Sequence, residues 1–287
     1  MQAKAVGRGV LSSSLVQQLE ALAAHSGPTA LLLRNLPIDI PLPSTPGNWQ
    51  ARVPLLADFI TAMIGGVLGD LFAWTTIQDG ILLPYVLPMD GHEHEQTGHG
   101  SDAELVLHVE DAFHDARSDV VSLLCLRNDD NVATTVASIT DVRLSEGDLR
   151  VLLSTRLHVD PDPEHLRGTA GAPDRFDGFP ALFPIEGGLG LRIDPYFTRS
   201  LPAGSTAREA FERLCTKLNS VAFDICLEAG DMLIIDNYRC VHGRRAFSRR
   251  SDGRDRWLLK ATTCTANGTR RVDGLAVDPF PIAPVTK

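Results

Sequence analysis

Apolar and polar positions alternate with a period of two over much of the chain, and short turn-forming clusters separate the runs. Alternation of this kind sends successive side chains to opposite faces and predicts β-strands. Strands are expected at 30–36, on both sides of a turn at Asp79-Gly80 within 73–87, at 104–114, 119–126 and 132–140, around Gly187-Gly188 within 181–194, and at 231–237. Helical spacing is rarer. Leu15, Leu19 and Leu22 recur behind a Ser12-Ser13-Ser14 cap, and 206–220 is a second amphipathic stretch. A helix is also expected at 145–153 with Ser145 as cap, and another at 53–71, broken or bent around Gly65-Gly66 and Gly69. The segment 89–102 reads as a polar loop rich in His and Gly. The Pro- and Gly-rich 157–178 reads as a further loop, and either loop is a candidate lid. Many short strands with flanking helices predict a mainly β chain with an antiparallel core. No repeat, low-complexity segment or composition break divides it, so a single domain over 1–287 is expected.

Composition narrows the classes. The 287 residues carry a net charge of -9, so no basic surplus supports nucleic-acid binding. The N-terminus lacks the apolar core of a secretory signal, and the most apolar long stretch, 54–74, is interrupted by Asp58, Asp70 and three glycines. No membrane segment is therefore expected. Five cysteines without paired spacing form no disulfide framework. Cys125, Cys226 and Cys264 read as buried thiols, which implies a reducing compartment such as the cytoplasm.

Within 104–114, His108 and Glu110 are two residues apart and share a face if the segment is a strand. Imidazole beside carboxylate makes two corners of a metal site. A candidate third corner, His242, follows the apolar run 231–237. Two His and one carboxylate, with the other positions open, is the arrangement of non-haem Fe(II) oxygenases. A lone His-x-Glu is more often an ordinary surface or hydrogen-bonded pair.

The wider context tips that balance. His108-Val109-Glu110-Asp111-Ala112-Phe113-His114, followed by Cys125-Leu126-Arg127-Asn128, resembles the metal segment of the clavaminate synthase-like dioxygenases. So do Asp236-Asn237-Tyr238-Arg239-Cys240-Val241-His242-Gly243-Arg244 and the later Asp252-Gly253-Arg254-Asp255-Arg256-Trp257-Leu258. The nearest pattern is that of the free L-amino-acid β-hydroxylases acting on arginine and asparagine. The strong matches cover about 74–142 and 190–262. The resemblance implies a double-stranded β-helix, or jelly roll, that brings His108, Glu110 and His242 together around Fe(II), with 2-oxoglutarate and O2 as co-substrates. Halogenating relatives leave the carboxylate position to Gly or Ala, so Glu110 argues for oxygenation.

The resemblance also distributes roles. Arg256, fourteen residues beyond His242, would hold the distal carboxylate of 2-oxoglutarate, helped by Thr135, with Thr134 as the alternative. Gln78 and Glu110 would contact the substrate's α-amino group. Lys260 stands where close relatives carry a second Arg for the substrate carboxylate. Asp194 would read the substrate side chain. Tyr196, where the arginine enzymes place a second acid, leaves urea, amide or other polar side chains as open as guanidinium. His92, His94 and His99 read as loop histidines rather than a second metal site, with His99 facing substrate. The implied function is hydroxylation of Cβ or Cγ of a polar L-amino acid such as arginine, citrulline or asparagine, free or carrier-bound, in natural-product (antibiotic) biosynthesis. A desaturase of the same family shares every ligand. A non-redox metal-binding jelly roll would keep the triad but has no need of Arg256 or Thr135. The sequence leaves the oligomeric state open.

Overall fold

The computed structural model describes residues 2–167, 178–265 and 276–277. Its helices are α1 (Gln2–Val10), α2 (Ser13–Ala23), α3 (Leu56–Leu68), α4 (Glu146–Ser154), α5 (Pro163–Leu166) and α6 (Thr206–Val221). Its strands are β1 (Ala30–Leu33), β2 (Asp70–Trp74), β3 (Tyr85–Val86), β4 (Leu105–His108), β5 (Val120–Arg127), β6 (Ala133–Ser138), β7 (Arg156–Leu157), β8 (Phe179–Pro180), β9 (Leu182–Ile185), β10 (Gly188–Leu191), β11 (Phe223–Cys226), β12 (Met232–Asp236), β13 (Cys240–Arg244), β14 (Trp257–Cys264) and β15 (Ala276–Val277).

Two sheets build the centre. The larger runs β1-β12-β5-β14-β2-β15, with β3 also on β14; the smaller runs β11-β6-β13-β4. All of these pairings are antiparallel except β15 on β2. The chain is thus mainly β with flanking helices. Alternation along the strands explains how three apolar layers arise. On β5 and β12, Val121, Leu123, Cys125, Leu233 and Ile235 enter an interior layer together with Val136 and Cys240 of the smaller sheet. Their neighbours Val120, Leu124, Met232 and Ile234 face the other way and meet Leu19, Leu22 and Ile64 of α2 and α3. The smaller sheet sends Leu107, Ala137 and Val241 outward against Leu214 and Leu218 of α6. Strands covered on both faces read as uninterrupted apolar runs.

Several expectations meet this structure directly. Ser12, Ser145 and Ser205 cap α2, α4 and α6 by accepting from backbone N–H groups three residues on. The β9–β10 hairpin turns at Gly187-Gly188, where both residues have positive φ. Other expectations are corrected. The third helix does not break at Gly65-Gly66; it runs unbroken to Leu68. A Cβ at Gly65 would lie 2.8 Å from the end of the Leu71 side chain, so the glycine lets that side chain pack closely on the helix. The strands on either side of the Asp79 turn, β2 and β3, both lie on β14. Part of 157–178 is ordered as the end of β7 and as α5, and 168–177 lies outside the described residues. Cys226 is exposed on the edge strand β11, although Cys125 and Cys264 are buried as expected.

Candidate active site

β4 and β13 are neighbours in the smaller sheet, and His108 pairs directly with His242. Paired residues project to the same face, so both imidazoles enter the space between the sheets. Their ring centroids are 4.6 Å apart. The third group departs from expectation. β4 ends at His108, and Glu110 lies just past it, before a turn in which Asp111 has φ 53. Glu110 is fixed by Asn237 instead, whose amide oxygen accepts from Glu110 N at 2.9 Å and whose amide nitrogen donates to Glu110 O at 3.1 Å. Glu110 Oε2 then stands 3.3 Å from His242 Nε2 and 4.0 Å from His108 Nε2. One ligand atom from each of the three residues falls within 4.8 Å of the others.

The donor set fits a divalent metal. His108 Nδ1 faces the Val106 carbonyl at 2.8 Å, which fixes that nitrogen as the donor and leaves Nε2 its lone pair. Burial, then His108, hold His242 below its ordinary value, which favours its neutral form with a nitrogen free to ligate. Burial would raise the Glu110 carboxyl. Lys260, followed by the two histidines, overcomes it and keeps the group well below the carboxylate range. Lys260 Nζ lies 2.5 Å from Glu110 Oε1. The lysine assigned to the substrate carboxylate therefore already engages the outer oxygen of Glu110, while still lining the same cavity.

That cavity lies between the sheets. One end is cationic. Arg256 Nη2 donates to Thr134 Oγ1 at 2.9 Å, and its buried Nε makes no hydrogen bond among the described residues. Arg244 donates to the carbonyls of Gly100 and Ala103. Burial pushes Arg256 down to about 10. Burial, and then Arg256, push Arg244 down to about 9. No carboxylate among the described residues pairs with either. An acidic group of suitable length would complete this end.

Here the Thr135 expectation is corrected. Val136 pairs with His242 across β6 and β13, so Val136 and Thr134 face inward and Thr135 faces outward. Thr135 Oγ1 donates to Asp224 of β11 at 2.7 Å, away from Arg256.

The opposite end is acidic. Asp160, Asp162, Glu164 and Asp194 line it, with the half-exposed Tyr196 at the rim. Asp160 pairs with Arg199, and Glu164 with His99 at 2.8 Å. Asp162 Oδ1 accepts from the backbone of Glu164 and His165, capping α5, and Asp194 Oδ1 accepts from the backbone of Tyr196 and Phe197. Neither has a side-chain cation in hydrogen-bonding contact among the described residues. Burial raises both, Asp162 to about 6.

Gln78 and His99 stand behind this wall. The Gln78 amide accepts from Tyr85 N and donates to Tyr85 O, and the His99 ring lies behind Glu164. Asn237 and the acids of 160–164 were not singled out by residue type, and Thr134 stood only as the alternative to Thr135. Only the Asp162-Pro163-Glu164 run carried a local signal, that of a helix start.

Comparison with known proteins agrees with this geometry. Residues 79–262 match the taurine catabolism dioxygenase TauD, TfdA family. The chain is 36% identical to an enduracididine beta-hydroxylase of Streptomyces hygroscopicus, over 80% of this chain and 75% of the other. It is 33% identical to an L-asparagine oxygenase of Streptomyces coelicolor, over 94% and 82%. Among solved structures, the non-heme iron oxygenase OrfP in complex with Fe, succinate and (3S)-hydroxy-L-Arg superposes with a TM-score of 0.83 at 33% identity, covering 92% of this chain and 84% of that one. Asparagine oxygenase with Fe(II), 2S,3S-3-hydroxyasparagine and succinate gives 0.83 at 30% identity, covering 96% and 88%.

Proposed function

The chain belongs to the taurine catabolism dioxygenase TauD, TfdA family, and from that premise we propose that it hydroxylates Cβ or Cγ of a free L-amino acid with a basic side chain. It is an Fe(II)- and 2-oxoglutarate-dependent oxygenase. In this reading the two sheets are the halves of a double-stranded β-helix forming a single domain. His108, Glu110 and His242 hold the iron, which with 2-oxoglutarate and O2 supplies the oxidising power.

The protein's own residues supply place and charge. Arg256, with Thr134, takes the distal carboxylate of 2-oxoglutarate. Leu258 and Leu123 keep that end dry, which strengthens the ionic contact. Lys260 and Tyr196 frame the amino acid, while Gln78, expected to meet its α-amino group, is turned to the Tyr85 backbone behind the wall. The observation that carries the substrate class is the pair of half-buried carboxylates, Asp162 and Asp194, that line the cavity and have no side-chain cation in hydrogen-bonding contact among the described residues. A partly desolvated charge without a partner is costly, so a guanidinium or ammonium from the substrate is the natural complement. This favours arginine- and ornithine-like substrates over citrulline or asparagine.

The enduracididine relative supports a role in natural-product biosynthesis. A reducing, cytoplasmic setting is consistent with five free cysteines, and among the described residues no helix is long and apolar enough to cross a membrane. The test is succinate release from 2-oxoglutarate under air with Fe(II), against the common amino acids plus citrulline and ornithine. Stimulation by basic members, with a product that has gained one oxygen, is expected. A product that has lost two hydrogens would indicate desaturation. Stimulation confined to neutral amino acids would overturn the charge argument.

A further inference from the structure

His99 lies in the loop between β3 and β4 and is only 2% exposed. Its Nδ1 is 2.9 Å from the Leu87 carbonyl, and its Nε2 is 2.8 Å from Glu164 Oε1. A backbone carbonyl can only accept a hydrogen bond, and so can an ionised carboxylate. Both ring nitrogens must therefore carry hydrogen, which makes the ring an imidazolium inside the protein. The other neighbours offer no substitute acceptor. Gln78 presents its amide nitrogen at 3.5 Å, with its oxygen already engaged by Tyr85 N.

Glu164, at the acidic end, meets a cation from another loop. Across the cavity it also feels Lys260. α5 has only four residues, so its own hydrogen bonds fix Glu164 weakly. Ties from outside do that instead: His165 to Asp111 and Thr76, Arg167 to Glu95 and His92, and His99 to Glu164.

We propose that His99 is a positioning residue, a buried imidazolium that holds Glu164 against the wall of the amino-acid cavity and makes substrate affinity follow its protonation. This rests on reading the cavity as the amino-acid pocket. The charged and titratable groups around the pair are Glu164 and Arg167 from the α5 segment, with Asp162 and His165 beside them, His92 and Glu95 from the loop itself, and Lys260 from β14. Burial alone would lower His99; Glu164 outweighs it and raises the ring above its ordinary 6.5. Glu164 is held down to about 2, chiefly by His99 against the cost of burial. The sign follows. The tie is complete below the ordinary histidine value and is lost as pH rises through the raised one. Beyond that point one ring nitrogen faces an acceptor without a proton between them, and Glu164 is freed to swing toward Lys260.

The experiment uses the full chain with Zn(II) in place of iron and labelled histidine rings. At pH 7, ring-nitrogen NMR should show one histidine protonated on both nitrogens. That signal should vanish in H99Q, and its titration should move to lower pH in E164Q. With Fe(II), 2-oxoglutarate and L-arginine as probe, KM should climb as pH passes the His99 titration, and kcat should change less than KM. H99Q should start from a KM about tenfold higher, the scale of one charge-assisted hydrogen bond, and show no such climb. H99K should recover part of the low KM. A neutral His99 ring at pH 7, or a KM that ignores its titration, overturns the proposal. If no amino acid drives succinate release, the functional reading fails, while the ring-nitrogen measurement still judges the imidazolium.

Discussion

Replacing Arg256 by Gln removes a guanidinium whose Nη2 bonds Thr134 at 2.9 Å and whose Nε has no hydrogen bond among the described residues. A hydrogen bond to a charged group contributes about 1.5–3 kcal/mol. At about 1.4 kcal/mol per factor of ten, affinity for 2-oxoglutarate should fall about ten- to a hundredfold. The Thr134 hydroxyl orients that guanidinium through a bond of about 1 kcal/mol, so T134A should lose about fivefold. T135A should lose nothing, because Thr135 is turned to Asp224. Anaerobic calorimetric titration of 2-oxoglutarate into the Fe(II)-loaded variants measures all three. Thermal unfolding is the control: deleting a buried, unpaired cation relieves desolvation, so R256Q should melt no lower than the parent. Unchanged affinity in R256Q would refute the anion site. A larger loss in T135A than in T134A would refute the facing derived from the β6–β13 register.

Three further outcomes are expected. H108A and H242A should lose Fe(II) binding and turnover, and retained turnover in either removes that residue from the site. Gly243 sits at the irregularity between β13 and β4, where a Cβ would come within 2.4 Å of the Leu105 carbonyl. G243A should therefore displace the neighbouring His242 and weaken Fe(II) binding in equilibrium dialysis, and parental affinity would count against that coupling. Burial raises the Asp194 carboxyl, so the folded state favours its protonated form; that advantage is present at low pH and is lost as pH rises through the raised value. D194N, which keeps the oxygen that accepts from Tyr196 and Phe197, should melt above the parent at neutral pH, with the difference closing below about pH 4. It should also need more substrate, and parental kinetics would remove Asp194 from side-chain recognition.

The triad was legible because imidazole and carboxylate two residues apart, with a second histidine after an apolar run, are unusual chemistry for a core. The means of assembling it was not. Glu110 was expected on a strand, yet its position depends on Asn237, far along the chain and undistinguished locally. The choice between Thr134 and Thr135 is a matter of facing, and facing depends on the pairing of Val136 with His242, which no local pattern encodes. Along β5 the period-two signal is masked because Val120 and Val121 are both buried, one toward the helices and one between the sheets. α5 hid inside a stretch read as loop, although Asp162 before Pro163 is a helix-start signal.

His108, His242 and Thr134 stand on one sheet, with Glu110 just past its end, whereas Arg256 leads into β14 of the other. In the proposed arrangement a 2-oxo diacid spans both, so the gap between the sheets acts as a calliper for its length. That gap is set by the side chains wedged between them, Val121, Leu123, Val136 and Leu233 among them. Close-packed interiors transmit a lost methyl as a shift of their neighbours. Trimming this layer should therefore slacken the preference for a five-carbon diacid over its shorter and longer homologues, although none of the trimmed residues is charged.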